Sequence, residues 1–230
     1  MDHDLLRRAV EEATSSTIDD AAYWNAISRL RRREPNEVWA LIEPFATDDD
    51  PRLRALVPDV LRFIGGKEQP LVARTVQLLE AMLAKEATPS VIESIALAFV
   101  DLHDPSATEV LRPFVTHGDA GVRSAVVHGL LPIADDAIPE LIALSKDESE
   151  DVRNWATFGL GSQTDVDTPE LRTALAERLD DLHDETRAEA ALGLAIRKDP
   201  RAIPVVVREL ENDSPWTHYA EAAVLLGLAS

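Results

Sequence analysis

The amino-acid sequence predicts an all-α fold, an α-solenoid of about seven antiparallel helix pairs. Three observations support this prediction. Apolar stretches are dominated by Ala and Leu, capping residues stand directly before prolines along the chain, and one segment recurs at intervals of 30 and then 34 residues. Internal repetition at such a period is typical of proteins built from stacked helix pairs.

Composition and periodicity both indicate helices. Hydrophobic residues make up 45% of the 230 residues, but aromatic residues only 5%. Helices pack well with Ala and Leu, whereas strands favour β-branched and aromatic side chains. Apolar residues recur at helical spacing, as in Val152, Ala156 and Leu160, and no stretch alternates with a period of two.

Six capping residues stand directly before a proline, and each pair predicts a helix N-terminus. The cap side chain accepts an orphan N–H, and a proline at the first helical position lacks the N–H that would be left without a partner. The six pairs are Asp50-Pro51, Thr88-Pro89, Asp104-Pro105, Thr168-Pro169, Asp199-Pro200 and Ser214-Pro215. Measured from start to start, the pattern predicts about fourteen helices of roughly 10 to 16 residues.

The repeated segment begins at Val122, Val152 and Thr186 and aligns there without gaps. Each copy has an arginine at its second position and a Gly-Leu pair six and seven residues after that arginine. Because each arginine follows an acidic turn, we expect it to pair with the carboxylates of that turn and to cap helix ends. The predicted structural ladder consists of Arg54, Arg123, Arg153 and Arg187.

Glycines 129, 159 and 193 lie inside the predicted helices. Each costs roughly 1 kcal/mol relative to Ala, so we expect a close approach of neighbouring helices to offset that cost.

The acidic turn, the hydrophobic-Arg pair, the small residues and Gly-Leu, with Asp-Pro-Arg-Ala-Ile-Pro at residues 199–204, resemble the bacterial HEAT-like repeat. This repeat is also found in phycobilisome-lyase subunits. The resemblance is strongest over residues 104–230. It implies helix pairs stacked into a right-handed superhelix whose second helices line the concave side.

We predict a single domain over residues 1–230. It comprises an N-terminal helical cap at 1–34, degenerate repeats at 35–103, regular repeats at 104–212 and a C-terminal capping helix at 213–230. Trp24, Trp39 and Trp216 lie in the less regular regions, where we expect structural roles, with Trp39 in the core.

The formal charge of −19, from 42 acidic and 23 basic residues, disfavours nucleic acid as a partner. Three interpretations of this acidity stay open: solubility, a salt-adapted host, and a basic protein partner. The N-terminal residues 1–8 carry early acids, and no apolar run approaches the length of a bilayer span. We therefore expect a cytoplasmic protein without membrane contact.

The candidate partner-binding surface consists of positions that the repeat does not dictate. With Val152, Ala156 and Leu160 facing inward, the aromatic residues of the same helix lie towards its other side, and equivalent positions of the neighbouring repeats extend the strip. They either anchor a partner or pack between adjacent repeats. The candidate residues are Ser124, His128, Asn154, Trp155, Phe158 and Glu189.

No catalytic, metal or cofactor site is predicted. The chain has no cysteine, no Gly-rich phosphate loop and no nucleophile elbow. Asp101-Leu102-His103-Asp104 recurs as Asp181-Leu182-His183-Asp184, but the repeat register places the two histidines at opposite edges. The leading hypothesis is a non-enzymatic interaction module or scaffold. The alternatives are a bilin-lyase-like enzyme subunit and an immunity protein that neutralises a basic toxin.

Overall fold

The computed structural model describes residues 20–65, 69–211 and 217–228. Within these ranges all regular structure is helical, in agreement with the predicted fold class. The α-helices are α1 (Asp20–Leu30), α2 (Pro35–Ile42), α3 (Pro51–Gly65), α4 (Gln69–Leu83), α5 (Pro89–Leu102), α6 (Ala107–Leu111), α7 (Ala120–Leu130), α8 (Ile138–Leu144), α9 (Glu150–Ser162), α10 (Pro169–Glu177), α11 (Asp184–Ile196), α12 (Ile203–Leu210) and α13 (Thr217–Leu225). Short 3-10 segments lie at Glu43–Thr47, Arg112–Phe114, Leu131–Asp136 and Pro200–Ala202.

The local chemistry at the predicted helix starts explains where several helices begin. Helices α3, α5 and α10 begin at Pro51, Pro89 and Pro169, and Pro200 opens the 3-10 segment before α12, as predicted. Thr168 Oγ1 accepts from the Leu171 amide at 3.2 Å, which satisfies an orphan donor of α10. The pair at 104–105 precedes α6 by two residues. The pair at 214–215 lies outside the described residues.

The first helices of the regular repeats are shorter than predicted. Helices α6, α8, α10 and α12 contain 5, 7, 9 and 8 residues. Prolines explain part of the difference, because a proline has no N–H to continue the α-helical ladder. Pro113 and Pro200 lie in 3-10 segments adjoining α6 and α12, so the helical path continues there with tighter turns.

The chain divides into two compact units, residues 1–110 and 111–230. In the first unit, α3 packs against α2, α4 and α5, and apolar residues of these helices form the core. Trp39 is a core residue, as predicted, with 2% of its surface exposed. Trp24 is 42% exposed and meets Tyr23 edge-on, whereas Trp216 lies outside the described residues.

In the second unit, the second helices α7, α9, α11 and α13 pack against one another in chain order. Each of α8, α10 and α12 packs against the second helix that follows it. Val152, Ala156 and Leu160 are fully buried, as the helical spacing predicted. The interpretation of residues 1–230 as one domain, with its four subdivisions, stays a prediction.

Helices α9 and α11 approach closely at two glycines. A Cβ atom added to Gly193 would lie 2.5 Å from the Cα atom of Gly161. At Gly159 an added Cβ atom would meet the side chains of Leu131 and Leu141 at 3.0 and 3.2 Å. The predicted close approach is therefore found at Gly193 and, more loosely, at Gly159, and Gly161 is the partner that the sequence did not reveal.

A buried arginine ties the ends of these two helices together. The guanidinium of Arg197 donates to the carbonyl oxygens of Gly161 and Gly193, both at 2.9 Å. It also donates to the carbonyls of Thr164 and Val166 in the loop after α9, at 2.9 Å each. Burial lowers the pKa of Arg197, and the four carbonyl oxygens compensate its charge.

Among the described residues, none of the helices has the length and apolar character to cross a bilayer.

Candidate functional site

The six candidate residues lie on three consecutive second helices of the unit at 111–230. Ser124 and His128 belong to α7, Glu189 belongs to α11, and the other three belong to α9. Five of the six side chains are half-buried, and Glu189 is buried. Helix α9 thus turns its apolar stripe inward and leaves Trp155 and Phe158 partly accessible on its other side.

Three rings form a continuous cluster across two repeats. The ring centroids of His128 and Trp155 are 4.6 Å apart, with an angle of 52° between the planes. The centroids of Trp155 and Phe158 are 5.8 Å apart and the planes meet at 86°, which is the edge-to-face geometry that aromatic pairs favour. We call His128, Trp155 and Phe158 the aromatic ridge. Its rings pack between repeats and also keep a partly exposed surface, so the two interpretations of these residues do not exclude each other.

Hydrogen bonds fix the polar neighbours of the aromatic ridge. His128 Nδ1 lies 2.7 Å from the carbonyl oxygen of Ser124, and because a carbonyl only accepts, Nδ1 carries the proton. Ser124 Oγ donates to Asp151 Oδ2 at 2.8 Å, which links α7 to the first turn of α9. The carboxylate of Asp151 therefore belongs to this surface, although it is not among the six candidate residues.

Asn154 links α9 to the next repeat. Its Oδ1 accepts from Thr186 Oγ1 of α11 at 3.3 Å, and the Thr186 hydroxyl lies 3.0 Å from His183 Nδ1. This network holds the start of α11 against α9. The geometry gives Asn154 a contact between repeats, and its role in partner binding stays a prediction.

Glu189 differs from the other candidates because only 6% of its surface is exposed. Its Oε2 accepts from Ser162 Oγ of α9 at 3.4 Å, and its Oε1 lies 3.3 Å from His218 Nε2 of α13. The pKa of Glu189 is raised overall, because the effect of burial exceeds the lowering by the neighbouring His218 and by the Ser162 hydrogen bond. Since α13 packs on α11 here, Glu189 connects three helices beneath the surface, and its role in partner binding stays a prediction.

The four ladder arginines share a contact with the turn before their own helix. In each, Nη1 donates to the carbonyl oxygen six residues earlier. The pairs are Arg54 with Asp48 at 2.8 Å, Arg123 with His117 at 2.7 Å, Arg153 with Asp147 at 2.9 Å, and Arg187 with Asp181 at 2.7 Å. The arginines therefore hold the turn that leads into each helix, through its backbone carbonyls.

Three of the arginines take their carboxylate from the next repeat, which differs from the expectation. Arg123 binds Asp147 with Nε and Nη2 at 2.6 and 2.8 Å, and Arg153 binds Asp181 at 2.9 and 3.0 Å. Arg54 binds Glu86 in the same way at 2.7 and 3.0 Å. Only Arg187 pairs with the preceding turn as expected, through Asp184 at 2.7 Å.

Asp147 and Asp181 therefore connect successive repeats. Each accepts from the ladder arginine of the preceding repeat through its carboxylate and from the next ladder arginine through its carbonyl. The carboxylate of Asp181 also accepts from Arg178 at 3.3 Å. Hydrogen bonds from Arg54 lower the pKa of Glu86 to about 2. Burial raises the pKa of Asp147, but its bonds from Arg123 and the Ser149 amide outweigh that effect and lower it overall. The carboxylates thus pair with the arginines that they contact, and the role of the ladder as a structural element stays a prediction.

The two Asp-Leu-His-Asp sequences occupy different positions relative to their own helices, and their placement at opposite edges stays a prediction. His103 ends α5 in the left-handed backbone conformation, with φ of 49°, and His183 is the residue before α11. Over the residues that the structure describes, no group of three or more His, Asp or Glu side chains is arranged to hold a metal ion.

Comparison with known proteins defines the class. The HEAT repeat family model matches residues 76–161 and 138–227, and the chain belongs to this family. The prediction of an all-α fold of HEAT-like repeats is thereby confirmed.

Among the relatives, the Escherichia coli K12 protein YibA is 35% identical over 127 residues, which are 55% of this chain and 45% of YibA. The sequence match thus spans less than half the length of that relative. The X-ray structure of E. coli YibA superposes with a TM-score of 0.78 at 27% identity, over 99% of this chain and 82% of the YibA chain. The complex of CpcE and CpcF of phycocyanin lyase from Nostoc is similar with a TM-score of 0.50 at 17% identity, over 96% and 92% of the two chains, which shows the fold alone.

Proposed function

We propose that this chain is a non-enzymatic interaction module that binds a protein partner through the face of α7, α9 and α11. We call this surface the second-helix face and define it by Ser124, His128, Asp151, Trp155, Phe158 and Glu185. HEAT repeats are a fold of protein-interaction scaffolds, because stacked repeats present an extended surface. The aromatic ridge is the observation that carries the proposal.

The repeat itself does not need aromatic side chains at this place. In the alignment of the three segments, Ala125 and Glu189 stand where Trp155 stands, and His128 and Leu192 stand where Phe158 stands. Large rings that keep an exposed surface beside polar residues are typical of binding hot spots, in which Trp is enriched. The ridge supports the proposal because it adds exposed apolar surface at positions where the other repeats fold without large aromatic side chains.

The charge of the chain favours a basic partner over a nucleic acid. At −19 the protein repels phosphate backbones and attracts cationic surfaces. An immunity protein that neutralises a basic toxin is a special case of this proposal, because the toxin is then the basic partner. A cytoplasmic location is part of the same proposal.

The bilin-lyase alternative has less support. The likeness to the CpcE and CpcF complex extends to the fold, and fold likeness does not carry an activity. We assign no catalytic residue, and the proposal remains that of a binding protein without a reaction centre.

The test compares the proteins captured from host extract by the tagged wild type and two tagged variants. Trp155→Ser combined with Phe158→Ser removes the ridge, and Val207→Ser alters a 45% exposed residue of the first helix α12 as a matched control. We expect proteins enriched by the wild type to fall at least about ten-fold with the ridge variant and to persist with the control. Equal capture by all three proteins, with folding verified by circular dichroism, refutes the proposal.

A further inference from the structure

We propose that the occupant of the second-helix face is a basic segment of the partner. A lysine or arginine side chain of that segment lies along the aromatic ridge, with its charged end at the carboxylates of Asp151 and Glu185. This inference rests on the proposed function and specifies the chemistry of its ligand. Three features of the face support it.

The arginines of the three helices are already neutralised. Arg123 and Arg153 each form a bidentate pair with a carboxylate of the following turn, and Arg187 pairs with Asp184. Arg123, Arg153 and Arg187 are the cationic side chains of α7, α9 and α11, apart from any charge on His128. None of them is available to offset further negative charge on this face.

Two carboxylates of the face are left without such a partner. In the described part of the chain, no Lys, Arg or His side chain forms an ion pair with Asp151 or Glu185. Asp151 is exposed, and it lies one helical turn before Trp155, so both side chains are on the same side of α9. Glu185 has the equivalent position in the next repeat, one turn before Glu189. On its α9 side the aromatic ridge is therefore bordered by a carboxylate that forms no ion pair with any cation of the described residues.

This pairing of rings with nearby carboxylates fits Lys and Arg side chains. Their aliphatic stems cover apolar surface while the charged end stays in contact with water or an anion, and aromatic rings also attract the cation itself. The chemistry already occurs within this protein, where the Arg74 guanidinium lies 3.4 Å from the centroid of Trp39 and that of Arg31 lies 3.9 Å from Phe63. A neutral apolar segment gains from the rings alone, and an acidic segment is repelled.

Calorimetric titration with synthetic peptides tests the inference on the full chain. The probe is a nine-residue peptide of alternating Lys and Ala, and the comparison peptide has Gln in place of Lys. We expect the lysine peptide to bind at least about ten-fold more tightly, and its affinity to fall as salt screens the charges. We expect Trp155→Ala to weaken binding of the lysine peptide at least about ten-fold.

A matched pair of charge variants separates a local contact from the net charge. Asp151→Asn removes one carboxylate in the first turn of α9, and Glu170→Gln removes one at the same position of α10, also exposed. We expect Asp151→Asn to weaken binding of the lysine peptide about three-fold and Glu170→Gln to leave it unchanged within about 1.5-fold. Asn keeps an acceptor for the Ser124 hydroxyl, so this variant preserves the local hydrogen bond.

Three results overturn the inference. The first is equal affinity for the glutamine and lysine peptides. The second is an equal effect of the two charge variants, which reduces the attraction to net charge. The third is the absence of peptide binding while capture of host proteins still depends on Trp155 and Phe158. In that third case the proposed function stands and only the basic chemistry of the occupant is wrong.

Discussion

Replacing Gly193 with alanine tests the close packing of successive second helices. The added Cβ atom would lie 2.5 Å from Gly161 Cα and 3.0 Å from Leu175 Cδ1, whereas ordinary contacts begin at 3.4 Å. The Gly161 atom belongs to the backbone of α9, so the contact is relieved only when the two helices separate. We therefore expect Gly193→Ala to be strongly overpacked.

The size of the effect follows from two opposing terms. Alanine in a helix interior gains about 1 kcal/mol over glycine. Overpacking a dense core costs about 1–3 kcal/mol, and a contact between two backbones belongs at or above the upper end of that range. The expected net loss is about 2 kcal/mol in the free energy of unfolding. With a urea dependence of about 2 kcal/mol per molar, the midpoint falls by about 1 M.

Gly159 and Gly118 provide matched controls for the same substitution. An added Cβ atom at Gly159 meets the ends of two leucine side chains at 3.0 and 3.2 Å, which can rotate away. At Gly118 nothing lies within 4 Å. In urea titrations followed by circular dichroism, we expect both control variants to stay within about 1 kcal/mol of the wild type. A Gly193→Ala protein as stable as these two refutes the account of the α9–α11 contact.

Three further predictions concern buried charges. Arg197→Lys should lower the free energy of unfolding by about 3 kcal/mol, because lysine cannot reach all four carbonyl oxygens; an unchanged urea midpoint contradicts this. Arg153→Lys loses the bidentate bond to Asp181 and should cost about 1–2 kcal/mol, and the same measurement checks it. Burial raises the pKa of Asp59 from 3.8 to about 6 in the folded state and is the main cause of this shift. The hydrogen bond from Tyr23 acts in the opposite direction and lowers the pKa. The folded state thus favours the protonated carboxyl. The resulting contribution to the free energy of unfolding is complete below pH 3.8 and is lost as the pH rises through 6. Asp59→Asn should therefore match the wild type near pH 4 and exceed it by about 3 kcal/mol at pH 8; a difference that is constant across this range contradicts the assignment.

The sequence was sufficient for features that depend on local chemistry. A threonine or aspartate before a proline predicts a helix start, and α3, α5 and α10 begin where these pairs predicted. The side chains of Asp50 and Thr168 accept a backbone N–H of the first turn, whereas Thr88 forms no such cap bond. The inward stripe of Val152, Ala156 and Leu160 follows from helical spacing alone. The ladder arginines were found because they recur at the repeat period.

Features that depend on the stacking of repeats were not predictable in the same way. The carboxylate for Arg153 comes from Asp181, 28 residues later, and only the packed structure brings that turn within reach. Glu189 is buried because α13 packs on α11 and brings His218 against it, a contact that helical periodicity does not contain. Gly161 showed no repeat signal, since its role comes from a crossing point of α9 and α11.

The aromatic ridge was predicted in part. Helical spacing placed Trp155 and Phe158 on one side of α9, but the contact of Trp155 with His128 depends on how α7 lies against α9. The role of Asp151 depends on the same packing, because Ser124 of α7 is its hydrogen-bond donor.

Site-specific photo-crosslinking in the host tests the central claim most directly. A benzoylphenylalanine residue is placed at position 158 on the aromatic ridge, at position 196, which is 43% exposed at the end of α11, or at position 207 on α12. The account predicts a crosslink to one basic protein from position 158, a weaker one from position 196 and none from position 207. Crosslinking from position 207 with none from position 158 contradicts the claim that the second-helix face binds the partner.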